Sequence, residues 1–144
     1  MRRNERAAGR PAAPAADQQL SVEPAQQPVL NDAADIARAA VDAAANKKAD
    51  DILLLDIRDV TSMADYFVIC SASTDRQLKA VVEGIEEELR NDGVRPVQVE
   101  GEQGSGWVLV DYGDVVCHVF KPAEREYYRL EELWQGAKTL VRMQ

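Results

Sequence analysis

Apolar and polar positions fall into a regular pattern from about residue 29 onward. Asn31 or Asp32 can cap a helix of about 15 residues whose apolar stripe is Ile36, Ala37, Ala40, Val41 and Ala44. The stripe is built of small side chains, so this helix should lie close to what it covers. Asn46-Lys47-Lys48 closes it, with cations near the negative end of its dipole. Ile52 to Ile57 is an almost unbroken apolar run and reads as a central strand. After a polar loop, Tyr66 to Ser71 combines aromatic and β-branched residues and reads as a second strand. Thr74 and Gln77 form a capping box, and Leu78, Val81, Val82, Ile85 and Leu89 follow at helical spacing up to Asp92-Gly93. Pro96 to Glu100 is a short strand ahead of a Gly-rich turn, Gly101 to Gly106. Trp107 to Asp111 and Asp114 to Lys121 are two strands around Tyr112-Gly113, an expected tight hairpin. Pro122 stops the last strand, and Tyr127, Leu130 and Trp134 mark a short C-terminal helix.

The order α-β-β-α-β-β-β-α predicts an α/β (α+β) domain, a mixed five-stranded sheet with helices packed on it. The strand–helix–strand step through residues 66–100 should be a right-handed parallel crossover. Expected boundaries are a disordered tail over 1–28, one domain over 29–137 and a C-terminal tail over 138–144. The first segment is Ala, Pro, Gln and Arg without periodicity, a composition unable to offset the entropy of ordering it.

Composition narrows the function classes. The net charge of the 144-residue chain is −8; residues 1–28 carry four Arg against Glu5, Asp17 and Glu23, which leaves −9 on the remainder. An acidic domain is a poor binder of bare phosphate backbone, so no direct sequence-specific nucleic-acid contact is expected, whereas a basic protein partner is plausible. No apolar run approaches the ~18–20 residues of a membrane span. Arg2, Arg3, Arg6 and Arg10 are followed by Ala and Pro rather than an apolar block, so a cytoplasmic protein is expected. Cys70 and Cys117 sit in apolar runs without a CxxC pair and read as buried thiols.

The hairpin concentrates the candidate chemistry. If Tyr112-Gly113 is the whole turn, Asp111 pairs with Asp114, Leu109 with Val116, and Trp107 with His118. Opposed residues share a face. Trp107, Leu109, Asp111, Asp114, Val116 and His118 then line one face, while Val108, Val110, Val115 and Cys117 line the other, which should be the core. The first face is either covered by a helix or offered to a partner. His118 is the only histidine, so a catalytic reading must use it, with Asp111 and Asp114 as metal ligands or an acid–base set. A satisfied, half-buried strand histidine is the competing reading. No GxSxG, HExxH or phosphate loop accompanies it. Ser71-Ala72-Ser73 ahead of a helix N-terminus is a weak anion signal. Trp107 follows a Gly-rich turn and begins a strand, where a large ring can protrude, and Trp is enriched at interface hot spots.

Together these segments resemble the ribosomal silencing factors, the RsfS or Iojap family. The resemblance rests on Ala49-Asp50-Asp51-Ile52, Asp56, Ala64 to Ile69, Ser73 with Arg76-Gln77, Glu100-Gly101, Trp107, Asp111 to Val116, His118-Val119-Phe120, Arg125, Tyr128, Leu130-Glu131 and Leu133-Trp134. It covers about residues 34–134, and the block from Trp107 to Phe120 is its most specific part. It implies a nucleotidyltransferase-like shape without the Asp-x-Asp pair that such enzymes need for their metals. It also implies a non-enzymatic protein with no cofactor and no metal. Such factors bind the fourteenth large-subunit ribosomal protein on the face that meets the small subunit. They block subunit joining and lower translation when nutrients are limiting. Trp107 is the expected contact, with Glu100, Asp111, Tyr112 and Asp114 as further partner-binding candidates and a homodimer as an option for the free protein. The alternative is a small metal-dependent nucleotidyltransferase- or hydrolase-like enzyme using Asp111, Asp114 and His118.

Overall fold

The structure, a computed structural model, describes residues 32–101 and 104–144. The proposed tail over 1–28 lies outside the described residues.

Helix α1 (Ala33–Asn46) starts where Asp32 accepts a hydrogen bond from the Ala34 backbone N–H. Of its expected stripe Ala37, Ala40, Val41 and Ala44 are buried, whereas Ile36 is only half-buried at the margin. Strand β1 (Asp50–Asp56) follows, then β2 (Tyr66–Ser71), which is buried along its whole length. Helix α2 (Asp75–Asn91) opens on the expected cap. Thr74 Oγ1 accepts from Gln77 N–H, and the Gln77 carboxamide reaches back to Ser73 N–H while donating to the Lys48 carbonyl. That second bond ties the end of α1 to the start of α2. Strand β3 (Gln98–Glu100) is shorter than the expected Pro96–Glu100. Strands β4 (Trp107–Asp111) and β5 (Val115–Phe120) form the hairpin.

Among the described residues the sheet has six strands rather than five, in the order β3-β4-β5-β2-β1-β6. The sixth, β6 (Lys138–Met143), pairs antiparallel with β1 from Asp56↔Lys138 to Ile52↔Met143. Residues 138–143, expected as part of a C-terminal tail, are therefore an edge strand. Among the described residues β2 and β5 form the one parallel pair, and every other neighbour is antiparallel. β3 therefore runs in the same direction as β2, but two strands stand between them.

The hairpin register corrects the expected one. Its turn is Gly113-Asp114, closed by a bond from Tyr112 N–H to the Val115 carbonyl, and Gly113 has φ 91 at the turn position where glycine is favoured. The turn thus sits one residue later than Tyr112-Gly113, which moves every pair by two. Trp107 faces Phe120, Leu109 faces His118, and Asp111 faces Val116. A shift of two leaves each side chain on its expected face, whereas a shift of one would have reversed them all.

Two cores result. On one side of the sheet, Val108, Val110, Val115, Cys117 and Val119 pack with Ile52, Leu54, Val68 and Cys70 under α1 and α2. Both cysteines are free and buried there, and burial pushes the Cys70 thiol up to about 12. On the other side, Leu53, Leu55, Ile57, Phe67, Ile69 and Phe120 form a smaller cluster. Its cover is two short helices, α3 (Pro122–Tyr128) and α4 (Leu130–Leu133), in place of the single expected one. Arg129, at φ 49 and ψ 52, breaks them apart.

Candidate functional site

The smaller core is only partly roofed, and Trp107 stands at the margin of that roof. Two glycines bring the chain to it. Gly101 and Gly106 have φ 104 and 82, and a side chain at either would run into the Trp107 backbone or the Glu124 carboxylate. The Lys121 N–H donates to the Gly106 carbonyl at 2.8 Å and pins the turn to the start of α3.

The indole of Trp107 is half-buried and does not project freely. It stacks on Phe120 at 4.9 Å, meets Tyr128 at 4.7 Å, and donates from Nε1 to His118 Nδ1 at 3.2 Å. His118 is 4 % exposed and lies edge-on to Phe67 at 4.8 Å. Burial lowers its pKa to about 4, against the opposing pull of the Asp111 carboxylate. Beside this cluster lie two shallow hollows. One of about 200 Å³ is lined by Glu100, Gly101, Trp107 and Leu109. The other, about 170 Å³, has Met63, Phe67, Leu109 and Val116 as apolar walls and Glu100 and Asp111 as acidic members.

The sequence-predicted residues separate into two groups. Trp107, Glu100 and Asp111 share this face. Glu100 is exposed on the edge strand β3, opposite Leu109, and its carboxylate accepts from the Gln98 side chain. Asp111 accepts from Gly113 N–H at 2.7 Å, which shapes the turn as well as presenting charge. Asp114 is exposed in the turn, and its carbonyl receives the N–H groups of Asp65 and Tyr66, so its backbone secures the start of the parallel pair. Tyr112 belongs elsewhere. Its ring packs against the helix-covered core and its hydroxyl is buried there without a partner among the described residues, with burial pushing its pKa up.

The alternative metal set is not assembled as the expected register required. Asp111 opposes Val116 rather than Asp114, and His118 Nδ1 is taken by the indole. Among the described residues no group of three or more His, Cys, Asp or Glu could hold a metal ion.

Some surface features escaped the sequence pattern. Met63 is 73 % exposed beside the second hollow, and Tyr127 is 80 % exposed. The i, i+3, i+7 stripe had placed Tyr127 inward, but the break at Arg129 leaves Tyr128 as the ring that reaches Trp107. Arg125 is structural: its guanidinium donates to the Asp51 carbonyl at 2.7 Å, to Ser71 Oγ at 2.8 Å and to Glu131 at 3.1 Å. It joins α3 and α4 to the irregular start of β1, where Asp51 has φ 47.

Comparison with known proteins decides the family. The family model for "Ribosomal silencing factor during starvation" matches residues 30–144. The chain belongs to the ribosomal silencing factor family. It is 45% identical over 102 residues to a ribosomal silencing factor of Bacillus subtilis, covering 71% of this chain and 84% of that one. A mouse protein named for mitochondrial assembly of the ribosomal large subunit is 34% identical over 91 residues, covering 61% of this chain and 40% of its own length. A crystal structure of a Chromobacterium violaceum protein superposes with a TM-score of 0.70 at 38% identity, covering 76% of this chain and 93% of that one. A Bacillus halodurans structure gives 0.66 at 33% identity, covering 75% and 98%. These relatives bear silencing-factor and assembly names rather than enzyme names. Among the described residues no helix is long and apolar enough to cross a membrane.

Proposed function

We propose that this protein binds the large ribosomal subunit in the cytoplasm through the fourteenth ribosomal protein. It thereby covers the intersubunit face, excludes the small subunit, and lowers translation when nutrients are limiting. The observation that carries the reading is the half-exposed Trp107, held by His118, Phe120 and Tyr128 beside the carboxylates of Glu100 and Asp111. A rigid aromatic anchor with flanking acidic groups suits a basic protein surface, because a few such anchors dominate an interface. Asp114 sits at the rim of the same hairpin, while Tyr112 serves the core instead. Steric exclusion requires no catalytic group, only a rigid body on the right face.

Sedimentation with separated subunits tests this directly. The protein should travel with large subunits and reduce their pairing with small ones. Protein left at the top of the gradient with large subunits in molar excess would end the proposal.

A further inference from the structure

His118 is an unusual choice for its position. It is 4 % exposed, and its Nε2 is buried with no partner among the described residues. Leaving a buried polar atom unpaired is costly, and an apolar side chain there would avoid that cost. Phe67 and Phe120 already surround it with apolar surface. The benefit of an imidazole must lie in its other nitrogen.

That nitrogen has a defined state. The indole N–H of Trp107 is a donor only, so His118 Nδ1, receiving it at 3.2 Å, carries a lone pair. Burial keeps the ring neutral at neutral pH, and its single proton is therefore on Nε2. Among the described residues the charged neighbours on this face are the Asp111 and Glu100 carboxylates, from β4 and β3; the facing residues of β2, β5 and α3 at the ring cluster are Phe67, Phe120 and Tyr128. No other acceptor is recorded for the indole among the described residues.

We propose that His118 is a positioning residue for partner binding: its Nδ1 fixes the orientation of the Trp107 indole within its own plane, so that the exposed edge of the ring is presented in its bound orientation before the partner arrives. Trp107 needs such a brace because it leads directly out of the turn containing Gly104 and Gly106, and the ring is only half-buried. Stacking on Phe120 restrains the ring's tilt but leaves it free to slide or flip in its plane, and a directional N–H bond removes that freedom. Holding an anchor side chain in advance lowers the ordering cost of association. The inference rests on the reading of the Trp107 face as the partner-binding face.

The test compares full-length protein with His118→Asn, His118→Leu and Trp107→Ala, each bound to purified large ribosomal subunits. Asparagine places a carboxamide acceptor near the position of Nδ1, and leucine fills space without one. The indole N–H resonance, assigned by its loss in Trp107→Ala and so separated from that of Trp134, reports the bond itself. Thermal melting confirms that each variant is folded. His118→Leu should shift the indole resonance upfield and weaken binding by roughly 3- to 10-fold. His118→Asn should keep the resonance and most of the affinity. Wild-type affinity in His118→Leu, with Trp107→Ala impaired, overturns the positioning role alone. Equal losses in the leucine and asparagine variants overturn it too, because the effect would then be packing. Wild-type affinity in Trp107→Ala instead removes the underlying reading of the face.

Discussion

At the scale of single residues, Trp107 has two duties, and its truncation should show both. Trp107→Ala removes an interface anchor, so affinity for large subunits should fall by roughly 2 kcal/mol or more, about 30-fold. The ring also stacks on Phe120 and meets the tilted ring of Tyr128. Stability should therefore fall by about 1–3 kcal/mol, less than the loss for a fully buried Trp. Denaturation midpoints and binding isotherms on the same variant separate the two; unchanged affinity with a large drop in stability would make Trp107 a core residue only. His118 carries a pH signature. Its folded pKa is about 4 against an ordinary value of 6.5. Between those values the unfolded chain binds the extra proton, so stability rises with pH through this window and is lost as pH falls from 6.5 towards 4. The gap corresponds to roughly 3 kcal/mol. Asp56 acts lower: paired with Arg58 it is held at about 2, so its contribution is present above the ordinary carboxylate range and disappears as pH falls towards 2. Denaturant melts at pH 7, 5.5 and 4 should show a slope in this window that His118→Asn flattens; parallel curves would contradict it. Trp107 and His118 were legible as neighbours on one face, because strand parity survives a two-residue slip. The bond between them was not legible, because it depends on side-chain reach across a diagonal.

At the scale of elements, the sequence was informative wherever local chemistry agreed with tertiary packing. Thr74 and Gln77 cap α2 and the apolar stripe behind them is buried. The misses have local causes. Tyr112-Gly113 looks like the turn, but Asp111 accepts from Gly113 N–H and draws the turn one residue onward. Lys138 to Met143 reads as a tail because an edge strand guarded by Lys138 and Arg142 has only Val141 partly buried and so shows no clean apolar face. The C-terminal stripe ignored Arg129, whose left-handed conformation no local motif announces. That position makes a prediction. A non-glycine residue at positive φ is strained, and the ion pairs of Arg129 with Glu126 and Glu132, at 3.5 and 3.7 Å, are exposed and contribute little. Arg129→Gly should leave stability unchanged or raise it by up to ~1 kcal/mol, whereas Arg129→Val should lower it. Melting temperatures of the pair decide this, and a marked loss in the glycine variant would show that the ion pairs matter.

At the scale of the whole molecule, charge and shape act together. The chain carries −8 overall, and Glu100 and Asp111 bring that sign to the Trp107 face. A basic partner would be steered towards it, and steering acts on association rate more than on residence time. Glu100→Lys should slow association with large subunits, and the difference from wild type should shrink as salt approaches ~1 M, where the screening length falls to about 3 Å. Stopped-flow rates across a salt series measure this; an unchanged rate at low salt would place Glu100 outside the contact.

The parallel seam between β2 and β5 has a kinetic consequence. The pairs β1–β2 and β4–β5 close over short connections, but β2 meets β5 only after residues 72–114 have been looped out. Loop-closure entropy must be met before such distant contacts give anything back, so joining the two hairpins is the natural bottleneck of folding. A chevron analysis should then give Val68→Ala, in the seam, a slower folding limb. Val141→Ala, on the edge strand β6 outside that seam, should mainly accelerate unfolding. Equal effects of Val68→Ala and Val141→Ala on the folding limb would show that the seam and the edge form in one step.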